Sequence, residues 1–209
     1  MKLPVSLLIA LGVAGCTQPS NGQAPPEPTA TPTPAASTSP ITFDSKRAYA
    51  DLKKQVAFGP RVPATPGHVA CRDWILAELK TAGVKATRQD FSLTLDGKKL
   101  PMTNILAQIN PEAKKQVLLC AHWDTRPSAD QEIDNDKIHK PIPGANDGAS
   151  GVSVLLELAR QLQKNPPKNA GVQFVFFDGE DYGPHTTACS WARMITPSTR
   201  RFPSRTTRS

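Results

Sequence analysis

None of the four cysteines forms a Cys-x-x-Cys pair, which removes the usual cysteine metal and redox motifs. No apolar run is long enough to cross a bilayer: the one at residues 7–14 falls well short of the roughly 20 residues a spanning helix needs. Residues 17–40 contain no Lys or Arg. Residues 184–209 contain no Asp, Glu or Lys, yet hold five Arg. That last absence explains the net charge of +7: without those residues, 20 basic side chains face 18 acidic ones. The basicity belongs to the tail, and the body shows no basic patch interleaved with aromatics. Nucleic-acid binding is therefore excluded as a partner class. No internal repeat is visible, and 209 residues suffice for one domain of ordinary size.

What is present divides the chain into four parts. Residues 1–16 read as a signal peptide: Lys2, a short apolar stretch, then Val13-Ala14-Gly15-Cys16. The small residues before a cysteine resemble the lipobox of bacterial lipoproteins, which implies lipidation of Cys16 and a chain exported and anchored to a membrane. Two or more acyl chains give stable anchoring, each buried CH₂ contributing about 0.8 kcal/mol. Residues 17–43 are a linker with seven Pro between 17 and 40, too polar to fold and kept extended by its prolines. Residues 44–183 carry the folded domain. Residues 184–209, with ten Ser or Thr, lose all helical and strand periodicity, and are expected to be out of frame or a disordered basic tail.

Within the domain, Asp44 and Ser45 can cap a helix over residues 46–58, with Ala48, Leu52 and Val56 at helical spacing. Gly59-Pro60-Arg61 breaks it. Thr65-Pro66 opens a second helix carrying Val69, Ala70, Trp74, Leu76 and Leu79, which ends near Gly83. Phe91, Leu93 and Leu95 alternate up to an Asp96-Gly97 turn, and residues 102–109 return as the second strand of a hairpin. Residues 116–121 are continuously apolar, as in a strand covered on both faces, with Cys120 as a buried thiol. Cys71 and Cys120 remain candidates for a bridge. A polar loop over 125–143, a helix over 149–163 and a strand over 171–177 complete a parallel strand–helix–strand unit. A strand ending at Phe177 would need a further neighbour.

Three short runs carry the chemistry: His122-Trp123-Asp124, Gly144-Ala145-Asn146-Asp147-Gly148, and Phe176-Phe177-Asp178-Gly179-Glu180-Asp181. Each puts acidic or imidazole groups just past an apolar element, where an α/β sheet presents ligands. Zn²⁺ takes imidazole nitrogen and carboxylate oxygen at about 2.0–2.2 Å. His122 and Asp124 share a face in extended chain, so Asp124 can orient the ring. Adjacent Glu180 and Asp181 point apart, so one can ligate while the other moves protons. Each run alone has an ordinary explanation: a polar loop, a helix cap, a solvated turn. The three in this order point to one shared site. His68 reads as a helix-surface residue, His139 as loop and His185 as a bystander.

The stretch from about residue 44 to 183 resembles the glutaminyl-peptide cyclotransferases and the related co-catalytic zinc aminopeptidases, metallopeptidase family 28. The motifs His122-Trp123-Asp124-Thr125-Arg126-Pro127, Gly144 through Gly151 and Phe176 through Gly183 carry it. The resemblance implies an α/β fold with a mixed, mostly parallel central sheet sandwiched by helices, here incomplete at the C-terminus. It also implies Zn²⁺, one ion for a cyclase and two for an aminopeptidase. Asp147 and Asp181 would ligate the metal, His122 would ligate a second ion, Glu180 would be the acid/base and Asp124 would orient His122. Peptide amino termini would be the substrates. Asp181 stands where many relatives have Glu, and the family's late His ligand has no counterpart here. Poor zinc retention and weak or no turnover are therefore expected, and a non-catalytic lipoprotein remains the alternative.

Overall fold

The computed structural model describes residues 42–95 and 97–182. The signal segment with Cys16, almost all of the 17–43 linker, Asp96, Gly183 and the 184–209 tail with His185 and Cys189 lie outside the described residues.

Helix α1 (Ser45–Ala57) begins where expected, with the Asp44 side chain accepting from the Arg47 N–H at 2.9 Å. Helix α2 (Pro66–Thr81) has Thr65 as its cap and proline in its first turn. Strands β1 (Ala86–Leu95) and β2 (Lys98–Ile109) form an antiparallel hairpin closing at Leu95 and Lys98, with Gly97 at φ 74°. Strand β3 (Gln116–His122) leads through a long loop to an irregular turn at Ala145–Ser150, then helix α3 (Gly151–Lys164) and strand β4 (Gly171–Phe177). The β3–α3–β4 unit is parallel, as the sequence predicts.

The sheet order is β1-β2-β4-β3. The sheet is mixed: β3–β4 is parallel, while β1–β2 and β2–β4 are antiparallel. The hairpin supplies the antiparallel half, since a two-residue connection cannot join parallel strands. One face of the sheet builds the core through cross-strand pairs Ile105–Phe176, Ala107–Phe174 and Ile109–Val172. Val152, Leu155, Leu156 and Ala159 of α3 cover it, joined by Cys71, Ile75 and Leu79 of α2.

Several side chains sit differently from expectation. The buried face of α1 is Ala48, Asp51 and Gln55, not an apolar stripe through Leu52 and Val56. Most of this polar face is paired: Asp51 accepts from Arg160 and the Gln55 amide nitrogen donates to the Ser153 hydroxyl at 2.9 Å, while Gln55 Oε1 finds no hydrogen-bond partner among the described residues. In α2 the inward residues are His68, Cys71, Ile75 and Leu79, which leaves Val69 exposed. Strand β3 is not covered on both faces. It is the margin of the sheet among the described strands, so only alternate residues, Leu119 and Ala121, pack on the core. Leu118 is 50% exposed and Cys120 is exposed rather than buried. Among the described strands the open edge beyond the parallel pair therefore belongs to β3, not to β4, which is flanked by β2 and β3. Cys71 and Cys120 are both free, and burial pushes the Cys71 thiol up to about 12.

Candidate functional site

The parallel register sets the site. His122 lies opposite Phe177, and the Trp123 N–H continues the ladder to the Phe177 carbonyl at 2.9 Å. The residues after each strand therefore emerge side by side on one rim. The glycine-rich turn preceding α3 brings Asp147 to the same rim. Its backbone depends on Gly148 at φ 88°, where a Cβ would stand 3.0 Å from the Asp124 carbonyl and 3.3 Å from His122 Cε1.

His122 is the centre of the cluster. Its Nε2 meets Asp147 Oδ1 at 2.8 Å and lies 3.9 Å from Glu180 Oε2. Its Nδ1 faces Asp124 Oδ1 at 3.6 Å, a charge contact slightly longer than a hydrogen bond. Burial alone would lower the basicity of the ring; Asp124, then Glu180 and Asp147, outweigh it and raise the imidazole to about 9. Asp124 is fully buried and accepts the main-chain N–H groups of Glu180 at 3.2 Å and Asp181 at 3.1 Å. It thus fixes the β4 rim as well as facing His122. Burial raises the Glu180 carboxyl above its ordinary range; His122 pulls it back, and Asp124, Asp181 and Asp147 push it further up.

Asp181 is placed differently from the other three carboxylates. Both its oxygens are engaged by Arg126: the main-chain N–H donates to Oδ2 at 3.0 Å and Nε to Oδ1 at 2.8 Å. Burial raises its carboxyl and the Arg126 guanidinium opposes that rise. Asp147 and Asp124 still act on it electrostatically, so it shares the neighbourhood. Among the described residues, no group of three or more metal-capable side chains closes around one point. Asp147 and Glu180 each approach His122 Nε2, while Asp181 stands beside them. A cleft of about 370 Å³ opens next to Asp147, walled by Arg126, Asp130, Glu132 and Ile142 of the long loop.

The donor chemistry fits a divalent ion of the zinc type. Imidazole nitrogen and carboxylate oxygen are the ligands zinc takes from such a rim. The Nδ1 of His122 is buried and finds no hydrogen-bond partner among the described residues, so on that side the ring is held by the charge of Asp124, and on the other by the Nε2–Asp147 hydrogen bond.

Two supporting residues, Arg61 and His68, escape a reading of the sequence alone. Arg61 is fully buried, and its Nε, Nη1 and Nη2 donate to the carbonyls of Trp123, Pro143 and Gly144 at 3.0, 2.8 and 2.7 Å. It ties the His122–Asp124 loop to the loop before Asp147. Its only sequence signal is its place between two turn-forming prolines, which reads as a helix break. His68 is buried rather than on a helix surface. Its Nε2 contacts both Asp178 oxygens at 2.8 and 2.9 Å, and its ring stacks on Trp123 at 4.3 Å. Asp178 also accepts the Thr103 N–H at 2.6 Å. The imidazole turns inward because a buried carboxylate needs a partner. His139 lies on the exposed loop, as read from the sequence.

Residues 104–192 match the model of Peptidase family M28. A solved glutaminyl cyclase of Tannerella forsythia is 48% identical with a TM-score of 0.65; the match covers 70% of this chain and 51% of that one. A Zn-dependent exopeptidase of Parabacteroides distasonis is 46% identical with a TM-score of 0.66, covering 71% and 51%. The glutaminyl-peptide cyclotransferase of Gloydius blomhoffii is 30% identical over 136 residues, 58% of this chain and 35% of that protein. The match thus spans about half the length of these solved structures and about a third of the curated relative.

Proposed function

Since this chain carries a peptidase family M28 segment akin to the glutaminyl cyclases, we propose that its domain is a zinc-dependent glutaminyl-peptide cyclotransferase. Its substrates would be peptides with an amino-terminal Gln, converted to pyroglutamate with release of ammonia. The observation that carries the reading is the convergence of His122, Asp147 and Glu180 at the ends of adjacent elements, within 2.8 and 3.9 Å of one imidazole nitrogen.

In this reading Asp147 and Asp181 hold the ion, with His122 serving a second ion in a two-metal version. When bound, zinc supplies Lewis acidity toward the Gln side-chain carbonyl, worth several kcal/mol of charge stabilisation. Glu180 takes a proton from the α-amine as the amine nitrogen bonds to the side-chain carbon. It then returns that proton to the departing ammonia as the carbon–nitrogen bond breaks. A carboxyl raised by burial is suited to both halves of that exchange, which typically contributes about 10²–10⁴ in rate. Asp124, bonded to the Glu180 and Asp181 amides, keeps that carboxyl at the rim.

An aminopeptidase is the second reading, favoured by His122 standing within the cluster and by the Zn-dependent exopeptidase relative. Here Glu180 would deprotonate the attacking water, and the first residue would be released. Incubating the full chain and Zn²⁺ with Gln-Phe-Ala peptides separates the two. Ammonia with a cyclised peptide, even at a low rate, supports the cyclase; free Gln supports the peptidase; neither product refutes both for this chain and supports the non-catalytic lipoprotein. Glu180→Gln should abolish turnover with zinc uptake unchanged, and retained activity would refute its assigned role. The apolar segment ahead of Cys16 supports a lipid-anchored, exported location.

A further inference from the structure

We propose that Arg126 is a positioning residue whose guanidinium holds the Asp181 carboxylate in its ligating orientation by spanning it and Asp130. The inference rests on the metal-site reading above and concerns a residue that reading leaves without a role.

Three bonds define the arrangement. The Arg126 amide reaches Asp181 Oδ2 at 3.0 Å, Nε reaches Oδ1 at 2.8 Å, and Nη1 reaches Asp130 Oδ1 at 2.9 Å. One residue thus fixes both oxygens of Asp181 and anchors its own far end on the long loop. Asp181 is nearly inaccessible, whereas the Asp147 side chain is 60% exposed and contacts only His122 among the described residues. A carboxylate offers about four lone-pair sites, so accepting two bonds leaves each oxygen a site for a cation. The bonds orient the ligand without consuming it.

The neighbourhood explains why orientation is needed. Asp124, Asp147 and Glu180 all surround Asp181 with like charge. Without a cation beside it, that repulsion favours a rotamer turned away from the rim. The shape of arginine matters as well as its charge. A planar fork can donate in two directions at fixed angles, while a lysine ammonium is a compact point that reaches one carboxylate well. The same span couples the ligand to the wall of the cleft beside Asp147, because Asp130 lines it.

The test is the affinity of the full chain for Zn²⁺ alone, measured by competition with a chromophoric chelator. Metal-free melting curves serve as the control for folding. Arg126→Gln should weaken Zn²⁺ about 10–100-fold, the loss typical when the group orienting a ligand is removed, with the metal-free protein still melting cooperatively. Arg126→Lys should stay close to the Gln variant. Asp130→Asn, which frees only the far end, should produce a smaller loss in the same direction and remains informative if Arg126→Gln does not fold. Equal Zn²⁺ affinity in the wild type and Arg126→Gln would overturn the inference while leaving the proposed function standing. Tighter binding by Arg126→Gln, or full recovery in Arg126→Lys, would overturn it too. A wild-type chain that takes up no Zn²⁺ would overturn the metal-site reading and this inference with it.

Discussion

At the scale of single residues, Arg61 shows how much of the rim rests on one buried cation. Its three donors go to three main-chain carbonyls, and buried Asp124 supplies part of the countercharge. Burial lowers its pKa, with Cys71 and Asp124 opposing, yet a guanidinium remains protonated in proteins. Arg61→Met keeps most of the volume but strands those carbonyls and leaves Asp124 without that countercharge. We expect a loss of roughly 3–5 kcal/mol, since each buried acceptor left unsatisfied costs about 1–3 kcal/mol, read from urea unfolding. A change below about 0.5 kcal/mol, typical of an ordinary surface site, would refute this assignment. The residue was invisible beforehand for a physical reason. Sequence patterning reports which backbone is interrupted at Gly59-Pro60-Arg61, not what the side chain reaches 60 and 80 residues later. His68 was hidden in the same way: its partner Asp178 lies 110 residues away. His122, Asp124, Asp147 and Glu180 were legible as candidates because each sits at or near the end of a periodic element, and periodicity is what a sequence displays.

At the scale of elements, the helices were located by their caps and the strands by their turns, but the inward faces of α1 and α2 were not. Apolar spacing picks the buried face only where the neighbour is also apolar. Helix α1 instead packs on the polar side of α3, where Glu157 accepts from the Asp44 amide, from Arg47 and from Gln161. Burial would raise the Glu157 carboxyl; those hydrogen bonds, led by Arg47, overcome it and hold it down at about 2. A depressed carboxyl contributes stability above its unfolded value of 4.5 and loses it as pH falls toward 2. Acid titration of the wild type should therefore show a fall in unfolding free energy across that window, and Glu157→Gln should flatten it. An identical acid limb in both proteins would show that the α1–α3 contact is not set by this charge. The exposed margin at β3 escaped detection for the opposite reason: a continuous apolar run cannot say on its own whether both faces are covered.

At the scale of the whole molecule, the family resemblance reached further than any local pattern. It ordered three separate runs along the chain before their contacts were known, and the mixed sheet and the cyclase-type relatives bear out the resemblance and the α/β fold. What it did not reveal is that Asp181 is held by Arg126, because motif spacing carries no rotamer. Location is a property of the chain at this scale as well. If Cys16 carries the anchor, metabolic labelling with a fatty-acid analogue in a bacterial host should tag the full chain, and Cys16→Ser should remove both the tag and membrane sedimentation. An untagged wild type would refute lipidation.

The pairing of His122 with Phe177 has one more consequence. Successive side chains of a strand point to opposite faces, so a slip of β3 by one position along β4 would swing the imidazole away and bring Ala121 or Trp123 to its place. A misaligned chain would then have lost the contacts of His122 with Asp147 and Glu180 even if every helix formed. One step of register in a single strand thus separates a chain that merely collapsed from one whose rim is assembled.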